Sequence, residues 1–154
     1  MSSAFQHRFI LTGGPGSGKS TIVDAIIKRG FWCSKEAGRG VIQDQVSIGG
    51  DALPWANQTA FAELMLSWEM SSWHEAEGQT QPCFFDRGVP DVAGYLHLSA
   101  LNIPRHLENA IEKFLYNRNV FIAPPWRDIY VQDTERKQSF DVAVATYHAM
   151  VKTY

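Results

Sequence analysis

The chain contains few cysteines and no block of like charge, and each shortage argues against a class of function. Its two cysteines, Cys33 and Cys83, lie in apolar stretches without the spacing of a metal site or a redox pair. We expect buried, reduced thiols, with a disulfide or redox role as the alternative. The 14 basic and 16 acidic residues form no long runs and give a net charge of −2. We therefore expect no binding to nucleic acid or to a membrane surface, either of which usually needs a basic face.

Long apolar runs are missing as well. No stretch approaches the length of a membrane span, and residues 1–7 lack the apolar block of a secretion signal. The five histidines show no metal-ligand spacing. We therefore expect a cytoplasmic protein. With 154 residues, 45% hydrophobic and 12% aromatic, residues 1–154 are predicted to form a single domain with a full core.

What is present is an alternation of short apolar segments with stretches of helical periodicity. The predicted strands cover residues 8–12, 31–33, 83–85 and 120–123. The predicted helices cover about 19–29, 36–46, 54–77, 90–101, 104–116 and the stretch from 139. This alternation predicts an α/β fold with a parallel sheet covered on both faces. It calls for one more strand after the last helix, so either the fold is trimmed or the chain is C-terminally incomplete.

A glycine-rich segment between the first strand and helix matches the phosphate-binding pattern G-x-x-x-x-G-K-[ST]. Its residues are Gly13, Gly14, Pro15, Gly16, Ser17, Gly18, Lys19, Ser20 and Thr21. Glycines let successive backbone N–H groups turn toward phosphate oxygens, and the helix adds the positive end of its dipole. Lys19 would contact the β and γ phosphates, and the Ser20 hydroxyl would ligate magnesium. We expect ATP and Mg²⁺ as ligands; the alternative is a simple glycine-rich turn.

An acid and a base stand where the third predicted strand ends. In open parallel sheets ligands bind outside the carboxyl ends of the strands, so Asp86 and Arg87 should face the phosphate loop. Asp86 could join the magnesium shell or orient a substrate hydroxyl. Arg87 could bind a substrate anion or stabilise the transferring phosphoryl group. The alternative is a salt bridge at a strand end.

Three further groups are candidates at the same edge. Glu36 could accept a proton from an attacking hydroxyl and Arg39 could bind a substrate anion, although a helix-start acid and a solvated arginine are equally good interpretations. The charged segment 126–138 could be a lid that carries Arg127 and Arg136, or a solvated loop. Among the tryptophans, Trp55 is the best pocket candidate, whereas core packing is the favoured interpretation for the group.

Together these segments carry a resemblance that covers nearly the whole chain. They are residues 9–21, 36–42, 50–55, 84–91 and 123–140, the last with Pro-Pro-Trp and Asp-x-x-Arg-x-Gln elements. The chain resembles the small P-loop ATPases of the AAA-type ATPase domain family, which are related to the kinase domain of ribosylnicotinamide kinase. The resemblance implies a three-layer P-loop NTPase fold with the kinase-like strand order 2-3-1-4-5, adenine near the C-terminal region, and residues 127–136 as a lid. Asp86-Arg87-Gly88 also resembles the acid-arginine motif that lies beside the phosphoryl acceptor in nucleoside and thymidylate kinases.

Two functions fit these observations. The first is a Mg-dependent phosphotransferase that moves the γ-phosphate of ATP to a small hydroxyl or nucleoside-like acceptor. The predicted catalytic residues are Lys19, Glu36, Asp86, Arg87, Arg127 and Arg136, the substrate residues are Glu36, Arg39, Trp55 and Arg87, and the magnesium ligands are Ser20 and Asp86. The second is a regulatory ATPase that moves a protein partner and has no small acceptor. A nucleic-acid-acting ATPase is a third, which the charge disfavours.

Overall fold

The computed structural model describes residues 5–14, 17–125 and 140–154. Structural statements below concern these residues. Pro15, Gly16, Arg127 and Arg136, together with the predicted lid, lie outside the described residues.

Four parallel strands form the sheet, in the order β2-β3-β1-β4. They are β1 (Arg8–Gly13), β2 (Trp32–Cys33), β3 (Cys83–Asp86) and β4 (Phe121–Ala123). The register pairs Leu11 with Asp86 and Gly13 with Ala123, so the strands end along one edge. The predicted α/β fold and the order 2-3-1-4 are confirmed. No fifth strand is present in residues 5–14, 17–125 and 140–154.

Helices cover the sheet and connect its strands. They are α1 (Lys19–Lys28), α2 (Ala37–Ile48), α3 (Gln58–Glu75), α4 (Val89–Leu98), α5 (Arg105–Lys113) and α6 (Phe140–Thr153). Side chains alternate across a strand, so Ile10 and Phe85 enter the core with α3, α4 and α5, whereas Phe9 and Phe84 stack together on the opposite face. Within the described part, no helix is long and apolar enough to cross a membrane.

The start of α3 corrects the sequence prediction. We predicted a helix from residue 54, yet α3 begins at Gln58 because Asn57 is its N-cap. The Asn57 side chain accepts a hydrogen bond of 3.1 Å from the backbone N–H of Ala60. This bond satisfies a donor that the first turn leaves free. The preceding residues form turns, and they carry Trp55.

Both cysteines are free thiols. Cys83 is buried, and burial raises the pKa of its thiol. Burial and then the charge of Asp86 raise the pKa of Cys33 to about 11. Both side chains therefore stay protonated at neutral pH. Cys83 is buried as expected, whereas Cys33 is only half-buried.

Candidate functional site

The turn after β1 has a backbone that requires glycine. Gly13 has φ 146°, and a Cβ there would lie 2.6 Å from the carbonyl oxygen of Ala123. A Cβ at Gly14 would lie 2.7 Å from the carbonyl oxygen of Ala143 in α6. Gly18, at φ 82°, lies directly before α1. Gly13, Gly14 and Gly18 thus allow a close approach of the backbone to β4 and α6 and a left-handed residue before α1.

Ser17 is a buried polar residue in this turn. Its side chain is 4% exposed, and its hydroxyl has no hydrogen-bond partner within the described residues. A buried polar group without a partner is rare and costly. α1 begins two residues later, so its N-terminal dipole is directed at the same turn. Ser20 and Thr21 are exposed on the first turn of α1, where Ser20 is open to a magnesium ion.

Lys19 and Asp86 link the phosphate loop to the end of β3. The Lys19 ammonium contacts Asp86 Oδ1, and the two side chains are 9% and 13% exposed. The backbone N–H of Asp86 donates a hydrogen bond of 2.9 Å to the hydroxyl of Ser34, directly after β2. Asp86 therefore faces the phosphate loop, as the strand order predicts. Its ion-pair partner is Lys19 and not the neighbouring Arg87.

Arg87 occupies a strained position at the same edge. Its backbone has φ 71°, a left-handed conformation that is unusual for a residue other than glycine. Its N–H donates a hydrogen bond of 2.8 Å to the carbonyl of Leu11. The guanidinium lies between two carboxylates, with Nε 3.7 Å from Glu36 Oε1 and Nη1 3.9 Å from Asp91 Oδ1. Burial opposes the charge, but these carboxylates outweigh burial and raise the pKa of Arg87.

Glu36 is directed at this arginine and not at its own helix. It is the N-cap of α2, yet its side chain makes no capping hydrogen bond. Burial raises the pKa of the carboxyl, whereas the positive charges of Arg87, Lys19 and Arg39 lower it. The three charges together outweigh burial, so the pKa of Glu36 lies below its usual value. Glu36 is therefore an ionised acceptor at neutral pH. Arg39 is exposed on the first turn of α2 and contributes to this field.

A comparison with models of known protein families shows to which family the chain belongs. A family model described as AAA domain matches residues 8–154 of the chain. The chain belongs to the AAA domain family. No curated protein sequence matches it. As an AAA domain with a phosphate-binding loop, the protein is a nucleotide-binding P-loop protein.

The described part of the AAA domain contains no metal site made of protein side chains alone. None of its clusters joins three or more His, Cys, Asp or Glu side chains in a way that could hold a metal ion. Magnesium in nucleotide sites usually binds one or two carboxylates together with phosphate oxygens and water. Asp86 contacts Lys19, and Ser20 follows Lys19 in the sequence. Both side chains carry oxygen atoms of the kind that such an ion binds.

Glu69, on α3, is a buried acid that the sequence prediction missed. It is 2% exposed, and its Oε2 has no hydrogen-bond partner within the described residues. Burial, followed by the charge of Asp91, raises its pKa well above the usual value, which favours the neutral form of the acid. A signal was available in the sequence. Glu69 follows Leu66 by three residues and precedes Trp73 by four, which places an acid on the apolar face of the helix.

Asp91 is the second residue that the sequence prediction missed. It is 5% exposed in the first turn of α4. Its Oδ2 accepts a hydrogen bond of 2.8 Å from the Gly88 N–H and another from the Tyr154 hydroxyl, while its Oδ1 accepts one from the Thr12 hydroxyl. The acid three residues after Gly88 is a typical capping signal. That signal predicts the bond to Gly88 but not the bonds to Thr12 and Tyr154.

Trp68 and Trp73 pack against other elements, as the favoured interpretation predicts, whereas Trp55 does not. Trp68 packs its ring against Gly40 of α2, and its Nε1 donates a hydrogen bond of 3.2 Å to the Lys35 carbonyl. Trp73 donates one of 3.0 Å to the Leu115 carbonyl and so joins α3 to the segment after α5. Trp55 is 65% exposed, so it does not belong to a closed pocket.

A cleft of about 720 Å³ lies between β2, α2 and α3. Its lining includes Ser34, Trp68 and Glu75 but no residue of the phosphate loop. Ser34 also accepts the hydrogen bond from Asp86, so the cleft reaches the end of β3 from the side. It therefore adjoins the Lys19–Asp86 pair and does not contain it.

Proposed function

We propose that this AAA domain is a Mg-dependent phosphotransferase that moves the γ-phosphate of ATP to a small hydroxyl or nucleoside-like acceptor. The observation that carries the proposal is the Glu36–Arg87 pair beside Lys19 and Asp86. Nucleotide binding alone requires the loop, the lysine and a magnesium ligand. Glu36, an ionised acid that follows β2, and Arg87, which follows Asp86 at the end of β3, exceed that requirement, and they are the groups that an acceptor site needs.

The loop from Gly13 to Thr21 would hold the phosphates of ATP. A phosphate oxygen would give the Ser17 hydroxyl a partner, which it lacks among residues 5–14, 17–125 and 140–154. Lys19 would share its charge between Asp86 and the β and γ phosphates. Ser20 and Asp86 would hold magnesium, which supplies positive charge against the phosphates when bound.

Glu36 and Arg87 would serve the acceptor. The acceptor oxygen forms a bond to the γ phosphorus, the bond from that phosphorus to the β–γ bridging oxygen breaks and ADP leaves with the bonding electron pair, and the hydroxyl proton passes to water. Because its pKa is low, Glu36 is a weak base, so we assign it chiefly to orienting the hydroxyl by accepting its hydrogen bond. Arg87 keeps its charge at any working pH and would stabilise the transferring group. Arg39 and Trp55 stay proposed substrate contacts at the exposed rim.

The remaining assignments are proposals of the same kind. Arg127 and Arg136 lie outside the described residues, and we assign them to a lid that neutralises charge during transfer. We also propose that residues 1–154 form one domain and that the protein acts in the cytoplasm.

A regulatory ATPase without a small acceptor is the second candidate. Membership of the AAA domain family favours it, because such a function requires nucleotide binding and hydrolysis but no acceptor site. A protein partner would then take the place of the acceptor. The two functions differ in whether a small molecule accelerates the release of ADP.

ATP turnover screened against nucleosides, nucleotides and small hydroxyl metabolites separates the two. A phosphotransferase shows acceptor-dependent ADP release and a phosphorylated acceptor. Arg87→Ala should then raise the acceptor KM or lower turnover, whereas Arg136→Ala should lower turnover with little change in acceptor KM. Arg118→Ala, in the exposed segment before β4, is the matched control and should equal wild type. If no compound stimulates wild type and Arg87→Ala changes nothing, the regulatory ATPase replaces the phosphotransferase.

A further inference from the structure

Arg87 needs an external support to hold its side chain in one direction. Its left-handed backbone, at φ 71°, is unfavourable for a residue with a Cβ and persists only where the surroundings enforce it. The hydrogen bond from its N–H to the Leu11 carbonyl fixes the backbone but not the guanidinium. The guanidinium has two carboxylate neighbours, Glu36 on the more exposed side and Asp91 on the buried side.

Asp91 is the more rigid of these two carboxylates. Glu36 has a side chain that is 31% exposed, whereas that of Asp91 is 5% exposed. Three hydrogen bonds hold Asp91, from Thr12 in β1, from the Gly88 N–H and from Tyr154, directly after α6. A helix cap needs only the bond to Gly88. The bonds to β1 and to Tyr154 fix the carboxylate in all directions, with Oδ1 directed toward Arg87.

Tyr154 brings α6 into this arrangement. Its hydroxyl donates to Asp91 Oδ2, and burial followed by the charge of Asp91 raises its pKa well above the usual value, so the donor proton is retained. α6 packs closely on α4, because a Cβ at Gly94 would lie 2.7 Å from Met150 Sδ. The first turn of the same helix contacts the phosphate loop at Gly14. One helix therefore touches both the nucleotide side and the arginine side of the site.

We propose that Asp91 is a positioning residue that orients the Arg87 guanidinium, and that the Tyr154 hydroxyl fixes Asp91 for this role and couples α6 to the arginine. The proposal rests on the proposed function only in assigning Arg87 to the acceptor. The orientation of Arg87 itself does not depend on what the protein phosphorylates or hydrolyses.

The test follows the Arg87 side chain directly by NMR in full-length protein labelled with ¹⁵N-arginine. The Arg87 guanidinium signals, including those of the Nη–H groups that face Asp91, are identified by their loss in Arg87→Lys. Tyr154→Phe removes one hydroxyl and keeps the ring, while Asp91→Asn keeps the shape and removes the charge. Tyr147→Phe, on the same helix, is the matched control.

In Tyr154→Phe we expect the Arg87 Nη–H protons, which face Asp91, to exchange with water about fivefold faster than in wild type, since Asp91 loses one of the hydrogen bonds that hold it. Asp91→Asn should accelerate exchange further and shift the signal, and Tyr147→Phe should match wild type. If Tyr154→Phe is folded and its Arg87 signal and exchange are unchanged, the proposal is overturned, even where Asp91→Asn does not fold. Where an acceptor has been found, Tyr154→Phe should also raise its KM or lower turnover. Absence of any acceptor refutes the phosphotransferase but leaves the NMR result decisive for Asp91.

Discussion

At the scale of single residues, the candidate site holds its charges in pairs that a ligand can enter. Lys19 contacts Asp86, and Arg87 lies between Glu36 and Asp91. A partly buried charge without a partner is unfavourable, so each pair compensates the charges of its members and holds the side chains in place. A triphosphate with magnesium supplies both a new anion for Lys19 and a new cation for Asp86. Binding can therefore exchange partners without leaving either side chain uncompensated.

Lys19→Ala tests the nucleotide side of this arrangement. The change removes the positive charge assigned to the β and γ phosphates, so triphosphate affinity or turnover should fall about tenfold or more. Titration calorimetry with MgATP and an ADP-release assay measure the two quantities. Lys28→Ala, at the exposed end of the same helix, should behave as wild type in both. Unchanged binding together with unchanged turnover in Lys19→Ala would refute the assignment of the phosphate loop.

Glu69→Gln tests whether a neutral acid lies beneath the site. The folded-state pKa of Glu69 is raised, so its contribution to stability is fully present below the unfolded pKa of about 4.3 and is lost as pH rises toward the folded pKa. Glutamine cannot ionise and avoids this loss. The variant should therefore gain stability relative to wild type as pH rises, by up to about 1.4 kcal/mol per pH unit within that window.

Urea unfolding between about pH 4 and pH 8 measures the difference, since that range covers the ordinary glutamate pKa and neutrality. Glu75→Gln is the control, because this acid is exposed on the same helix and should show no such trend. Parallel stability curves for wild type and Glu69→Gln would mean that Glu69 is ionised in the folded protein.

At the scale of elements, the helices α2 and α3 form the connection between β2 and β3 along the chain, and they pack against each other. Trp68 of α3 lies against Gly40 of α2, and its hydrogen bond to Lys35 ties α3 to the segment that leads into α2. Glu36 lies one residue after Lys35 and occupies the N-cap position of α2, without a capping hydrogen bond from its side chain. The packing of this pair therefore sets where Glu36 stands relative to Arg87, which links a core contact to the acceptor side of the site.

Gly40→Ala tests that packing, because the substitution should lower the free energy of unfolding if Trp68 lies against Gly40 and should raise it otherwise. In an exposed helix interior a glycine-to-alanine change stabilises by roughly 1 kcal/mol. Here the added Cβ would lie 2.3 Å from Trp68 Cη2. The ring must shift, so we expect a loss of about 1–3 kcal/mol in the free energy of unfolding.

Gly38→Ala in the same helix is the control for that experiment. Its Cβ would lie 3.3 Å from Glu36 Oε1, the end of a flexible side chain, so the change should be neutral or stabilising. Urea unfolding with an unchanged m-value measures both variants. If Gly40→Ala is as stable as Gly38→Ala, Trp68 does not pack as described.

At the scale of the whole molecule, the sequence predicts the strands and helices that are bounded by turn residues. It does not predict the side-chain contacts between elements that are distant in the sequence. Gly13 and Gly30 delimit the first strand and helix, so the predictions of 8–12 and 19–29 agree closely with β1 and α1. Lys19 and Asp86 could be placed together because the ends of parallel strands meet at one edge. The contact between Asp91 and Tyr154 depends on how α6 packs on α4, and no local pattern encodes that packing.

The distribution of charge over the molecule also limits its partners. Arg8 is 3% exposed, with its guanidinium 4.0 Å above the Trp73 ring. Lys19 and Arg87 are paired within the candidate site. Arg105 lies 3.6 Å from a carboxylate oxygen of Glu108 on the same helix. Several of the 14 basic residues are thus buried or paired, which leaves fewer cations to form a basic face.

Binding to DNA or RNA should accordingly be weak and only slightly dependent on salt. Each phosphate contact made by a lysine or arginine contributes about 0.9 to the slope of log affinity against log salt, so we expect a slope shallower than about −2. Fluorescence anisotropy with a labelled duplex and a labelled single strand, across a series of salt concentrations, measures it. Repeating the titration with saturating MgATP shows whether residual binding occurs through the phosphate loop, because the nucleotide would then displace the strand. Tight binding at physiological salt with a steep slope would contradict this prediction and would place a nucleic-acid-dependent ATPase ahead of both functions considered above, since the cations responsible would have to come from outside the pairs described here.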